Sequence, residues 1–449
     1  MTVCPEEKRL FPRVKSNLNA SVYKNRVKCD DFSERGMRFE SSDMIFRPLI
    51  SLQVCFPGME NELKTDAKLV WKREQEDGDF LYGVEFVGLA DEDQSALRRE
   101  LIKAQIQGLL SDIEDTEIKN HISHFFLESL REYMNKVVGL VSQLSEDDGY
   151  SPALQRDLER LNTEILLKGY SLHLLLSDIA MMRKVKDNFR ALIGAWIYKG
   201  SILKRAFEKP RGYPGDYSVL EAIYNKSPLS KGLGEHFDRN FLNTPYAVAL
   251  RSRKDRLKEM LQEFIMSRVQ RPSLKILSLG CGPCREIAEL MGTLEQHKTS
   301  LVFTCIDGDE EALKFSRRKL NHLPTTIRVD FLRENFMDMI KSEEDLKLLY
   351  QQDLIYSIGM IDYLPDEFLK RWLRYFYHAL PQGGKFIVTL KNREKSFPPL
   401  QPDWFCDWEF VPRNKDELIA LLHSALTDFS LDVSCDDFAY IHYFVLTKA

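Results

Sequence analysis

Nowhere in the 449 residues does an apolar run approach the roughly 18 residues needed to span a bilayer. The N-terminus, MTVCPEEKRLFPR, also lacks the apolar core of a secretory leader. An excess of basic charge is missing too. With 63 Lys and Arg against 68 Asp and Glu the formal net charge is −5, so there is no general attraction for nucleic acid or an anionic membrane. Eight scattered cysteines form no regular framework, which argues against a disulfide scaffold and for a reducing compartment. Cytoplasmic is the expected location. Histidines and cysteines do not recur at metal-ligand spacing, so no metal is expected. Internal repeats and low-complexity tracts are absent. What remains is an ordinary globular composition, 44% hydrophobic and 29% charged, long enough for two or three domains.

Three zones separate along the chain. Residues 6–95 carry short apolar runs, Ala20–Tyr23, Ile50–Cys55, Ala67–Trp71 and Tyr82–Phe86, divided by polar turns. This spacing predicts a small antiparallel β-barrel or sandwich. Residues 96–245 turn helical, with Ile118, Ile122, Phe125, Phe126, Tyr133 and Val137 near helical spacing. Ser151-Pro152 reads as a helix start, because Ser caps and Pro suits the first turn. The zone is predicted to be a helical connector and lid. From 246 to 449 strands alternate with helices, at 274–279, 301–306, 325–331, 353–357, 384–390 and twice near 429–447. That alternation predicts an α/β Rossmann-like domain with a mainly parallel, seven-stranded sheet.

The segment Leu274–Arg285, LKILSLGCGPCR, is a buried strand ending in a glycine turn at the start of a helix. Glycines at 280 and 282 permit a tight turn and a close approach of ligand to backbone. Two chemistries use such a turn. Cys281-Gly-Pro-Cys284 at a helix start suits a dithiol oxidoreductase, since thiols placed there are acidified. The alternative is a nucleotide-type cofactor site. A second strand, Val302–Ile306, ends in Asp307, 25 residues beyond Gly282, where a carboxylate can accept both hydroxyl hydrogens of a ribose. Arg285 stands where a dinucleotide fingerprint has its third glycine, which argues for a cofactor without a pyrophosphate.

The run LSLGCGPC, CIDGDEEAL, DLIYSIGMIDYLPDE and LPQGGKFIVTL resembles the successive motifs of class I S-adenosylmethionine-dependent methyltransferases, over roughly the last 200 residues. The resemblance implies that Gly280, Cys281 and Gly282 face the methionine moiety, Asp307 the ribose and Gly308 the adenosine. By the same resemblance Asn335 and Phe336 flank the adenine, and Ser357, Ile358 and Gly359 border the sulfonium and the acceptor. Upstream, KPRGYPGDYSVLEAIY (Lys209–Tyr224) resembles a motif of a bacterial methyltransferase family making hydroxy-fatty-acid methyl ester signals. It implies a lid in which Tyr213, Asp216 and Tyr217 contact cofactor or substrate, with Arg211 or Arg253 holding a carboxylate. Tyr363 is the candidate for orienting the acceptor. A carboxylate is already ionised at neutral pH, so alignment rather than a strong base would carry catalysis.

At the other end, Arg9-Leu-Phe-Pro-Arg13 and Asp31-Phe-Ser-Glu-Arg-Gly36 form an RxxxR and DxSxxG pair that resembles the PilZ domain, a small β-barrel that binds cyclic di-GMP. Arginine pairs bidentately with phosphate and stacks on purines. The resemblance implies a site made of Lys8, Arg9, Arg13, Asp31, Ser33 and Gly36. Together the readings describe a cyclic di-GMP-responsive methyltransferase acting on a small or lipid-like acceptor. Two rivals stand beside it: a non-catalytic cyclic di-GMP effector that uses the methyltransferase fold for binding, and the dithiol oxidoreductase.

Overall fold

The computed structural model describes residues 11–59, 62–144, 150–294, 298–335, 340, 349, 351–396 and 400–449. The chain divides into two compact units, one of residues 1–201 with 230–240 and one of residues 202–229 with 241–449. Each is taken by itself.

The first unit opens with β1 (Val14–Lys15), β2 (Asn19–Val22), β3 (Asn25–Ser33), β4 (Gly36–Ser41), β5 (Leu49–Cys55), β6 (Leu63–Glu74) and β7 (Phe80–Val87). All pairings are antiparallel, in the order β3-β2-β5-β6-β7-β4, and β4 returns to β3. Six strands therefore close into a barrel, with β1 added on β3. Closure leaves those six strands without a free edge. In β5 Ile50, Leu52 and Val54 are buried while Leu49 and Ser51 face out, the period-2 alternation expected of such a wall.

Behind the barrel in sequence come α1 (Asp91–Ser111), α2 (Thr116–His124), α3 (Arg131–Val141), α4 (Pro152–Leu175) and α5 (Ile179–Ile197). A π-helical stretch, Phe125–Leu130, joins α2 to α3. Ser151 caps α4, accepting from the Leu154 amide with Pro152 in the first turn. Asp115 and Asp178 cap α2 and α5 in the same way.

Next along the chain are α6 (Ser201–Glu208), α7 (Tyr217–Asn225), α8 (Leu233–Asn243) and α9 (Pro245–Met266). The second unit's sheet is made of β8 (Ser273–Leu279), β9 (Ser300–Asp307), β10 (Ile327–Arg333), β11 (Leu354–Ser357), β12 (Lys385–Lys391), β13 (Phe429–Cys435) and β14 (Ile441–Lys448), with α10 (Arg285–Met291) after β8 and α11 (Glu310–Lys319) after β9. Its order is β10-β9-β8-β11-β12-β14-β13. A mainly parallel Rossmann-like sheet was the expectation; the sheet found is mixed. Strands β8 to β12 pair in parallel, whereas β14 is antiparallel to both β12 and β13. The short link Asp436–Tyr440 turns β14 back against β13, since a parallel return needs a crossover of a dozen residues or more; β14 then inserts between β13 and β12.

Both faces of this sheet are covered. Leu277, Leu279, Ile355 and Phe386 pack with the helices Asp366–His378 and Lys415–Ala425. Ile276, Leu354, Tyr356 and Ile387, their neighbours in sequence, pack with α9, α10 and α11. Strand order reverses between β8 and β11, the switch point beside which open α/β sheets bind ligands.

Candidate functional site

Beyond the carboxyl ends of these strands lies a cavity of about 870 Å³, within the size range of small-molecule sites. One wall is the glycine turn after β8. Gly280 and Gly282 have φ of +66° and +52°, the left-handed region in which glycine is favoured. Asp307, at the end of β9, braces the turn. Its Oδ2 accepts the Gly282 amide at 2.8 Å and its Oδ1 accepts the Asp309 amide at 2.9 Å. Burial pushes the Asp307 carboxyl up to about 6, although both amides work the other way. Two residues on, Asp309 caps α11 through Oδ1, accepting from the Glu311 amide. Its buried Oδ2 makes no hydrogen bond, and Arg211 Nε stands 3.7 Å away.

A second wall is the strap Lys209–Tyr217. Lys209 reaches Asp407 at 2.7 Å. Gly215 lies so close to Trp408 that a Cβ there would sit 2.5 Å from the indole. Farther on, Glu221 of α7 accepts from Arg285 and Lys319, at 3.1 and 2.8 Å, tying the strap's helix to α10 and α11.

Opposite the turn the lining changes character. Tyr246, Tyr363 and Trp408 line the cavity. Tyr246 packs edge-on to Trp408, whose Nε1 donates to the Tyr363 hydroxyl at 2.6 Å. Lys391, at the end of β12, is buried among them, with Nζ 3.3 Å from the Phe410 ring centroid and 3.1 Å from Asp362. Burial lowers the Lys391 ammonium to about 8 against the pull of Asp362. Arg253 of α9 is only 4% exposed. Its guanidinium rests against Gly359, and its Nε has no hydrogen-bond partner among the described residues.

The cavity brings together Arg211, Tyr213, Tyr217, Arg253, Gly280, Gly282, Asp307, Gly308, Asn335, Ile358, Gly359 and Tyr363 from the sequence expectations. Tyr213 is raised by burial and then by Asp307, so it stays a neutral phenol. Three expected residues lie elsewhere. Asp216 does not line the cavity: it is 1% exposed, caps α7 and pairs with Arg205 at 2.7 Å. Ser357 is fully buried and donates to the Leu279 carbonyl. Cys281 is packed with Cys284 and Cys305, and burial raises its thiol well above the usual range. Cys284 is shifted the other way, its thiol lowered by hydrogen bonds from Cys281 and Cys305, but it is fully buried, and a dithiol enzyme needs a thiol its substrate can reach. Phe336 lies outside the described residues. Sequence reading missed Tyr246, Asp362, Lys391 and Trp408; only the strand-end position of Lys391 offered a signal.

In the barrel, the DxSxxG turn joins β3 to β4. Arg13 donates from Nε to Asp31 at 2.6 Å, and Arg38 of β4 reaches the same carboxylate at 2.7 Å. Ser33 donates to the Gly36 carbonyl and accepts from the Arg35 amide, closing the turn on itself. Gly36 is obligatory for a steric reason, because a Cβ would lie 2.1 Å from the Val84 carbonyl oxygen. Lys8 and Arg9 lie outside the described residues. Arg38 was not anticipated from sequence, and it doubles the guanidinium charge held at Asp31. Beneath the turn, Glu34 is buried and accepts from Arg98 of α1 at 2.5 Å, and Arg98 also donates to Asn135 of α3.

Among the described residues no group of His, Cys, Asp and Glu could hold a metal ion, and no helix is long and apolar enough to cross a membrane. Residues 7–103 match the family model of the PilZ domain. No curated protein matches the chain. Among solved structures, a possible exported protein from Bordetella parapertussis is 17% identical at a TM-score of 0.41, covering 75% of this chain and 99% of that one. Magnesium protoporphyrin IX methyltransferase from Synechocystis with bound S-adenosylmethionine is 10% identical at a TM-score of 0.33, covering 46% and 85%. The inhibitor of motility of Bacillus subtilis is 18% identical at a TM-score of 0.21, covering 22% and 52%.

Proposed function

We propose that the second unit transfers a methyl group from S-adenosylmethionine to a small or lipid-like acceptor, and that the barrel within residues 6–95 binds cyclic di-GMP and regulates the transfer. The observation carrying the first part is the cavity that joins a glycine turn to Asp307 and to the buried Oδ2 of Asp309, which has Arg211 at 3.7 Å but no hydrogen bond among the described residues. Those two carboxylates are acceptors of the kind a ribose and an adenine amine require, and they suit a cationic ligand. The positive-φ backbone at Gly280 and Gly282 would take the methionine end, with Gly308, Asn335 and Ile358 along the nucleoside. When bound, S-adenosylmethionine supplies an electrophilic methyl group on a sulfonium. The chain's own residues then bind and align: Tyr213 and the strap exclude water, and Gly359 leaves room for the Arg253 guanidinium.

For the acceptor we propose a carboxylate, that of a hydroxy fatty acid. Arg253 is buried, forms no ion pair among the described residues and has an unpartnered Nε, so an anion on the Tyr246–Tyr363 side of the cavity would find a charged donor waiting. Arg253→Met is expected to lower kcat/KM for such an acid about a hundredfold, the loss of a charge-assisted hydrogen-bond pair. S-adenosylmethionine affinity should move far less; steady-state kinetics and calorimetry on the same variant check both.

Calorimetric titration with S-adenosylmethionine, with and without cyclic di-GMP, tests the reading. Binding of both with a mutual shift in affinity is expected, because coupling between sites is reciprocal. Affinity for S-adenosylmethionine should also depend on pH. The Asp307 carboxyl sits at about 6 in the free protein, so above that value it is charged and affinity is flat. Below it a proton must leave before the carboxylate can accept, and affinity should fall by up to about tenfold per pH unit. Titrations between pH 5 and 8, ordinary values for such buffers, read this directly.

A further inference from the structure

Independently of either ligand reading, we infer that the outside of the barrel docks on an anionic lipid surface. The strands β5 and β6 turn Leu49, Lys68, Val70 and Lys72 outward, and Leu49 pairs directly with Lys68. The loop before β5 adds Phe46, whose ring lies under the Lys72 ammonium at 5.7 Å, and Arg47, whose guanidinium stands 5.6 Å from the Tyr23 ring. Tyr23 in turn donates its hydroxyl to the Leu49 carbonyl at 2.8 Å. These contacts make one continuous patch.

Its exposure is unusual for apolar side chains. Phe46 is 79% exposed, Val70 55% and Leu49 49%. Scattered single apolar residues need no explanation, but a contiguous patch ringed by cations does. Among the described residues Arg47, Lys68 and Lys72 form no ion pair, although Lys68 stands opposite the exposed Glu85 of β7, so three cations face this side against that one carboxylate. The chain as a whole carries −5, so attraction to an anionic surface has to come from local cations such as these.

Shape chooses the occupant. The outer wall of a closed barrel is convex, and its most exposed large apolar group among the described residues is a phenyl ring projecting from a loop. A rigid protein partner would have to supply a matching concavity, whereas headgroups and acyl chains part around a protruding ring. Aromatic and aliphatic groups at the interface with Lys and Arg around them is the composition by which proteins lie on anionic bilayers.

Co-flotation of the full chain with vesicles tests this. At low ionic strength the protein should float with equimolar phosphatidylcholine and phosphatidylglycerol, fail to float with phosphatidylcholine alone, and be released by added salt. Lys68→Glu with Lys72→Glu should weaken binding by at least about fivefold per site, and Phe46→Ser by about tenfold. Circular dichroism should show both variants folded, since all three side chains are exposed; the salt and lipid dependence of the unaltered chain stands whatever their fate. No flotation with the anionic vesicles, equal flotation with both lipids, or binding indifferent to both variants would each overturn the inference. So would patch-dependent binding to polyglutamate without vesicle binding, which would indicate an acidic protein partner instead.

Discussion

Asp307→Asn is expected to lower S-adenosylmethionine affinity about a hundredfold while the protein remains folded. In the native turn one carboxylate does three things. It accepts the Gly282 amide, accepts the Asp309 amide and, in the proposed complex, takes the ribose hydroxyls. An asparagine has the same shape but one acceptor oxygen; its NH2 must face an amide N–H, a donor against a donor. That mismatch, with the loss of a charged acceptor for the ligand, amounts to about 3 kcal/mol, which is the hundredfold. The fold itself should tolerate the change. Because burial raises the Asp307 carboxyl to about 6, its charge burdens the folded state at neutral pH. Linkage gives the sign: a carboxyl that binds its proton more tightly when folded contributes more stability as the pH falls through that value, and less above it. Removing the charge therefore offsets part of the lost hydrogen bonding at pH 7. Calorimetry should show the affinity loss, and thermal unfolding a small shift. Unchanged affinity would remove Asp307 from the site.

The residues that could be read in advance share a property: their chemistry is local in sequence. Gly280, Gly282 and Asp307 each stand at the end of a strongly apolar strand, where position alone puts them on the wall of the cavity. The DxSxxG turn is equally local, since Ser33 and Gly36 close it within four residues. The far wall of the cavity could not be read this way. Lys391, Asp362 and Trp408 come from three segments that only the strand order brings together. Arg98 and Glu34 are 64 residues apart and carry no motif.

Asp216 shows the opposite error, a local signal with two meanings. An aspartate before Tyr-Ser-Val-Leu can face a ligand or can cap a helix. It caps one, because its carboxylate accepts from the Ser218 and Val219 amides and so satisfies donors that the helix start leaves open. The mixed sheet is a third case. Both C-terminal strands were legible, but the reversal of β14 depended on the length of a five-residue link rather than on the strand itself.

The buried pair beneath the motif turn yields the largest expected change in stability. Arg98→Met should destabilise the first unit by about 3–5 kcal/mol, the cost of stranding a buried charge. Glu34 is 1% exposed, and Arg98 is its only hydrogen-bonding partner recorded among the described residues. Its Oε1 is already unsatisfied, so loss of Arg98 leaves the whole carboxylate bare inside the unit. Asn135 loses its donor at the same time. The strain falls on the turn that carries Ser33 and Gly36, so cyclic di-GMP affinity should drop along with stability. Glu34→Leu combined with Arg98→Met removes both charges and should recover most of the stability, because paired removal of a buried ion pair is often neutral. Denaturant unfolding of the two single variants and the double variant closes the cycle and gives the coupling energy. Titration of the double variant with cyclic di-GMP then separates two roles. Recovered stability with recovered affinity means the turn needs only its shape. Recovered stability with affinity still lost means that the ionic link from the turn to α1 and α3 is itself part of how the ligand is held.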